Sequence, residues 1–168
     1  QFKPTNHYSA TKASAEMFVN SFFKSYNMDI VTVRMNNIYE TRQYPDNVIP
    51  RFILMALTGN DFTLHNEGKT TRHFLSAKDA SEAIELLAIK GVAGEAYNIG
   101  SEFEISIKDL AIKIKEITGS TSELICVPCT RPFNDSSYHI DDKKLRELGW
   151  TPLRSILNDL PEMVEWYK

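Results

Sequence analysis

Tyr8 and Lys12 stand one helical turn apart in the run Pro4-Thr5-Asn6-His7-Tyr8-Ser9-Ala10-Thr11-Lys12. Residues four apart share a helix face, so an ammonium can lie against a phenol there. A phenol titrates near 10 and is a poor base at neutral pH. A cation about 4 Å away is worth about 4 kcal/mol at an effective dielectric near 20. That corresponds to roughly three pK units. Such a phenol takes a proton from a substrate hydroxyl. The spacing alone is weak, because a chance Tyr-x-x-x-Lys is common and a surface lysine often packs over a half-buried tyrosine.

The element bearing the pair reads as a helix over residues 7–26, opened by Asn6 or Thr5 as N-cap. Ala15, Phe18 and Phe22 form one apolar stripe, and Val19, Phe23 and Tyr26 form another. Two stripes predict burial on two sides, against a sheet and against either its own domain or a second subunit. Ile30 to Met35 reads as a buried parallel strand, with Asn36 and Asn37 at its C-terminal end, where open α/β sheets place ligands. Pro45 and Pro50 bracket a turn before a helix from Arg51 to Leu57. Phe62–His65 and Thr71–Leu75 read as strands around a turn at Asn66-Glu67-Gly68. Helices follow at Asp79–Lys90 and Ile107–Ile117, strands at Ala96–Ile99 and Leu124–Val127, and closing helices at Asp141–Leu148 and Leu153–Tyr167. The alternation of strands and helices predicts an α/β fold.

The chain has 168 residues, 42% hydrophobic and 24% charged, with a net charge of -3. This balance gives no electrostatic reason to expect nucleic acid. No apolar run approaches the ~20 residues that span a bilayer, and no signal-peptide pattern opens the chain. The expectation is a reduced, cytoplasmic setting with no membrane association. Gln1 is not an initiator methionine, which predicts part of a longer polypeptide. None of the seven glycines forms Gly-x-Gly-x-x-Gly, the turn that brings backbone to a dinucleotide pyrophosphate. Cys126-Val127-Pro128-Cys129 has no second pair for zinc and opens no helix as a redox motif would. His7, His65, His73 and His139 have no ligand spacing, so no metal site is expected.

Residues 4–16, Pro4 through Glu16, resemble the active-site helix of extended short-chain dehydrogenases. Arg34-Met35-Asn36-Asn37-Ile38-Tyr39 and the run from Arg42 to Ile53 resemble the nucleotide-sugar 4,6-dehydratases. Thr71-Arg72-His73-Phe74-Leu75, Gly94 to Gly100 and Leu148-Gly149-Trp150 share that resemblance. Arg131-Pro132-Phe133-Asn134-Asp135, with Tyr138 and Asp141 to Leu145, is similar to the UDP-glucose 4,6-dehydratase part of rhamnose synthases, with the dTDP-glucose 4,6-dehydratases as near neighbours. The similarity runs along the whole chain and corresponds to the C-terminal half of such a lyase.

The resemblance implies the C-terminal part of a Rossmann-type extended short-chain dehydrogenase with a smaller α/β substrate-binding lobe. Residues 1–37, with 71–95 returning, would be the remnant of the NAD-binding domain; 38–70 and 96–168 would form the nucleotide-sugar lobe. It implies NAD as cofactor, UDP-glucose or dTDP-glucose as substrate, and a homodimer. Tyr8 would deprotonate the sugar 4-hydroxyl, Lys12 would hold the nicotinamide ribose, and Asn36 would lie near the nicotinamide. Asn37 would bind substrate, Arg72 and Arg131 would clamp the diphosphate, Asn98 would face the nucleotide, and Leu64 and His65 would border the base. The family's Thr-Asp-Glu trio lies upstream of the residue matched by Gln1, so this piece alone is expected to be inactive. A UDP-sugar 4-epimerase or decarboxylase and a non-catalytic dimerisation remnant stay open as alternatives. Glu40-Thr41 replaces the family's Gly-Pro, and its carboxylate is expected to repel a diphosphate. Asn47 replaces a common lysine, His73 an aspartate or asparagine, and Ser137 an arginine.

Overall fold

The computed structural model describes residues 3–129, 137 and 139–168. Arg131, the Arg131-to-Asp135 motif and Tyr138 lie outside the described residues.

Helix α1 runs His7–Tyr26. Asn6 is its N-cap, accepting from Ser9 N at 2.8 Å, while the Ser9 hydroxyl accepts from Asn6 N at 3.2 Å. This reciprocal box satisfies two of the helix's orphan donors. Asn27 closes the helix in the left-handed region, which its short amide tolerates. The two-sided burial expected of α1 is not found within this chain: none of its residues is buried, and Phe18 stays 67% exposed. Its contact with the rest of the fold includes a close approach to Gly94, where a Cβ would stand 2.4 Å from the Phe23 ring. The Arg34 guanidinium holds the Glu16 carboxylate across the same junction, with Nε donating to Oε2 at 3.0 Å.

Strand β1 (Thr32–Met35) pairs in parallel with β5 (Ala96–Ile99). Strand β2 (Asn37–Tyr39) pairs in parallel with β4 (Thr71–Ser76), which pairs antiparallel with β6 (Glu104–Ser106). Strand β3 (Phe62–His65) pairs in parallel with β7 (Leu124–Val127). The two strands expected around a turn at 66–68 are both found, as β3 and β4, and they do not pair with each other. The turn is a short 3₁₀ stretch, and β3 and β4 belong to different sheets. Strands β2 and β6 were not foreseen; at three residues each, neither shows a readable period.

Helix α2 (Val48–Thr58) starts one turn earlier than expected, and Pro50 sits buried inside it. Proline is tolerated there because the first-turn N–H groups have no intrahelical acceptor. Helices α3 (Ala77–Lys90), α4 (Ile107–Thr118), α5 (Lys143–Arg146) and α6 (Ile156–Tyr167) complete the described helices. The larger core joins α2, α4 and α6 to β2, β3 and β4, with Phe52 meeting Phe62 edge-on at 5.4 Å. Burying each such side chain contributes roughly 1.5–3 kcal/mol. A second cluster joins α3 to β5 through Leu87, Tyr97, Ile99, Leu145 and Trp150. The buried Asp79 carboxylate ties the loop before α6 to α3, accepting from Leu153 N at 3.1 Å, from Arg154 N at 2.9 Å and from the Arg154 guanidinium.

Candidate functional site

The first turns of α1, the β1–β2 junction, residues 43–47, α2, β3 and β4 surround a cleft of about 1180 Å³. Tyr8 and Lys12 both line it from one face of α1. The Tyr8 ring is 69% exposed. Among the described residues, neither its hydroxyl nor the Lys12 ammonium has a hydrogen bond or ion pair, so both reach the cleft unengaged.

Asn36 lies where β1 hands over to β2. Its N–H donates to Ile99 O at 3.2 Å, and its Oδ1 accepts from Ser101 N at 3.0 Å. Those bonds fix the amide so that Nδ2 is the remaining donor, and it has no partner although the residue is only 3% exposed. Gln43 shows the complementary case. Its Nε2 donates to Ile38 O at 3.0 Å and its buried Oε1 has no donor. These are the two buried side-chain polar atoms without partners among the described residues, and both residues line the cleft. Native interiors pair such atoms, so an unpaired donor and acceptor on residues of one cleft make it the candidate ligand site.

The cleft also carries excess positive charge. Lys12, Arg34, Arg51 and Arg72 line it against the carboxylates of Glu16 and Asp46, in a chain of net charge -3. Glu16 is engaged by Arg34, and this contact holds the Arg34 guanidinium pKa above its ordinary value. Arg51 sits in the first turn of α2, which contains no acidic residue, and its Nη2 reaches Thr63 Oγ1 at 3.4 Å. A cation at a helix N-terminus opposes the macrodipole, so the position favours an external anion. Strand β3 alternates: Phe62 and Leu64 enter the core, while Thr63 and His65 face the cleft. His65 Nδ1 is held 3.2 Å from Pro128 O.

The cleft thus gathers Tyr8, Lys12, Asn36, Asn37, His65 and Arg72 from the residues named by sequence. Leu64 is not among its lining; the side chain is 1% exposed within the core, because the strand's two-residue period turns it inward. Asn98 also lies outside the lining, its Nδ2 donating to Asp141 O at 2.7 Å. Arg131 lies outside the described residues. Gln43, Arg51 and Thr63 were missed as site residues, and strand alternation could have flagged Thr63 beside His65. Glu40, expected to repel a diphosphate, is not among the residues that line the cleft. It accepts from Thr41 N at 3.1 Å and lies 3.8 Å from Lys78 Nζ. Nor does Glu40 occupy a glycine-only conformation, since the left-handed residue of this turn is Arg42, at φ 65.

The GDP-mannose 4,6 dehydratase family model matches residues 1–163. The chain belongs to that family. Among curated relatives it is 40% identical over 168 residues to an Arabidopsis thaliana trifunctional UDP-glucose 4,6-dehydratase/UDP-4-keto-6-deoxy-D-glucose 3,5-epimerase/UDP-4-keto-L-rhamnose-reductase, covering 99% of this chain and 25% of that protein. It is 38% identical over 172 residues to the human dTDP-D-glucose 4,6-dehydratase, covering 99% of this chain and 49% of that one. Among solved structures, a dTDP-glucose 4,6-dehydratase from Streptomyces venezuelae with NAD bound superposes with a TM-score of 0.93 at 30% identity, covering 99% of this chain and 52% of that one. The chain therefore spans about half the length of the single-activity relatives and a quarter of the trifunctional one. These matches bear out the resemblance to the 4,6-dehydratases and the Rossmann-type extended short-chain dehydrogenase fold. Among the described residues no helix is long and apolar enough to cross a membrane, and no cluster of His, Cys, Asp and Glu is suited to a metal ion.

Proposed function

We propose that this chain supplies the sugar-oxidising and nucleotide-sugar-binding half of an NAD-dependent nucleoside-diphosphate-glucose 4,6-dehydratase. The observation that carries the reading is the cleft itself, which joins Tyr8 and Lys12 to an unpaired buried donor, an unpaired buried acceptor and surplus positive charge. A sugar nucleotide matches all three features, with hydroxyls that donate and accept and a diphosphate that is anionic.

Tyr8 takes the proton of the sugar 4-hydroxyl, and Lys12 stabilises the phenolate that this requires. Asn36 fits the nicotinamide end of NAD, because its orphaned Nδ2 needs an acceptor such as a carboxamide oxygen. Tyr8, Lys12 and Asn36 are the residues here that would hold that end. NAD, when bound, supplies the two-electron redox chemistry at the sugar. Asn37, His65 and Arg72 bind the substrate, with Arg72 on the diphosphate, a task suited to a planar fork of donors. Residues 1–37 and 71–95 serve the cofactor side and the remainder the nucleotide-sugar side. In the whole protein, residues outside this chain supply the glycine-rich turn and the acid and base of dehydration, and two copies associate.

The test is to incubate the full-length protein that carries this chain with NAD and either UDP-glucose or dTDP-glucose. Formation of a 4-keto-6-deoxy product, lost by at least about a hundredfold in Tyr8→Phe, supports the reading. A C4-epimerised product or no product with either substrate rejects it.

A further inference from the structure

Gln43, a cleft-lining residue, has one amide atom anchored and the other buried without a partner. Its Nε2 donates to Ile38 O at 3.0 Å, which dictates which amide atom is nitrogen and turns Oε1 the other way. The main chain at this residue is held too, its carbonyl accepting from the Tyr167 hydroxyl of α6. Gln43 Oε1 is buried and has no donor, while the residue lines the cleft. An unpaired acceptor on a cleft-lining residue selects its partner by chemistry. A diphosphate, which only accepts, cannot satisfy it. A hydroxyl can.

We propose that Gln43 is a sugar-binding residue, its side-chain carbonyl accepting a hydrogen bond from a hexosyl hydroxyl of the nucleotide-sugar. This rests on the nucleotide-sugar reading above and goes beyond it by naming which part of the substrate the loop recognises. The geometry distinguishes Gln43 from Arg51 and Arg72, whose cationic donors suit the diphosphate. Recognition of this kind is selective, because an analogue lacking the hydroxyl hydrogen leaves the buried carbonyl unpaired.

The experiment compares UDP and UDP-glucose binding to the full-length protein by calorimetry, in the wild type, Gln43→Leu and Gln43→Asn. Gln43→Leu is expected to weaken UDP-glucose about three- to tenfold and to leave UDP unchanged. Gln43→Asn keeps the amide chemistry but shortens its reach, and is expected to retain UDP binding while weakening UDP-glucose. UDP-glucose analogues carrying fluorine in place of each hexosyl hydroxyl supply the second arm. One of them is expected to lose affinity in the wild type and to lose nothing further in Gln43→Leu. Equal weakening of UDP and UDP-glucose would place the contact on the nucleoside and overturn the proposal. Unchanged UDP-glucose affinity in Gln43→Leu would overturn it as well, showing that water satisfies Oε1. A wild-type protein that binds neither these ligands nor dTDP and dTDP-glucose would instead reject the nucleotide-sugar reading, and the proposal with it; if it binds only the dTDP pair, the same comparison is made with dTDP and dTDP-glucose.

Discussion

The Tyr39 hydroxyl on β2 donates to the Asp159 carboxylate on α6 at 2.6 Å, pinning the strand that leads into the cleft loop to the C-terminal helix. The ring is fully buried. Burial, then the hydrogen bond to Asp159, raise its pKa far above the ordinary phenol value. Tyr167, at the other end of α6, holds the Gln43 carbonyl of the same loop. One helix therefore fixes the loop at two points.

Replacing Tyr39 with Phe strands the Asp159 carboxylate and is expected to cost about 1–3 kcal/mol in urea unfolding. The pH dependence has a definite sign. A phenol that stays protonated when folded but ionises near 10 when unfolded contributes stability below pH 10 that falls as pH rises further. Tyr39→Phe should therefore show a shallower loss of stability above about pH 10 than the wild type. An equal loss in both proteins would remove Tyr39 as the cause.

Arg42 adopts φ 65, a conformation that costs a side-chain-bearing residue energy and costs glycine none. Arg42→Gly is expected to stabilise the fold by up to about 1 kcal/mol, read as a higher urea midpoint with an unchanged slope. A lower midpoint would mean that the arginine side chain makes a compensating contact.

Glu104 on β6 accepts from the Ser137 hydroxyl and from Thr71 Oγ1, the latter at 2.5 Å, and these two bonds lower its pKa from the ordinary carboxylate value. A depressed carboxylate contributes stability at neutral pH that disappears as pH falls through its folded value. In an NMR titration its midpoint is expected below those of the other glutamates that make no such bonds, and Thr71→Val should raise it. An unmoved midpoint would show that the hydroxyl does not hold the carboxylate.

Arg51 is expected to add to affinity for the anionic part of the ligand. Arg51→Ala should weaken UDP binding about tenfold at low salt, less at high salt, and leave uridine binding unchanged. Equal effects on both ligands would point to a base contact.

The long elements were legible because their patterns are local. The Asn6 cap, the apolar repeat of α3 and the terminal Gly119 of α4 define their helices within a few residues. Pairing was less legible, since β3 finds β7 about sixty residues away and nothing in Phe62–His65 encodes that partner. Within the site, Tyr8, Lys12, Asn36 and Arg72 were readable from type and motif. Gln43 was not, because an unpaired side-chain oxygen leaves no mark on residue type or spacing. The surroundings of Glu40 were not legible either, since Lys78, 3.8 Å from its carboxylate, comes from α3.

The most direct measurement is a titration of UDP-glucose into the ¹⁵N-labelled protein, followed residue by residue. Binding in the proposed cleft predicts saturable shifts at the amides of Asn36, Asn37, Gln43, His65 and Arg72, with the outer face of α3 unmoved. Absence of shifts with both UDP-glucose and dTDP-glucose, or saturable shifts centred away from these residues, would contradict the account.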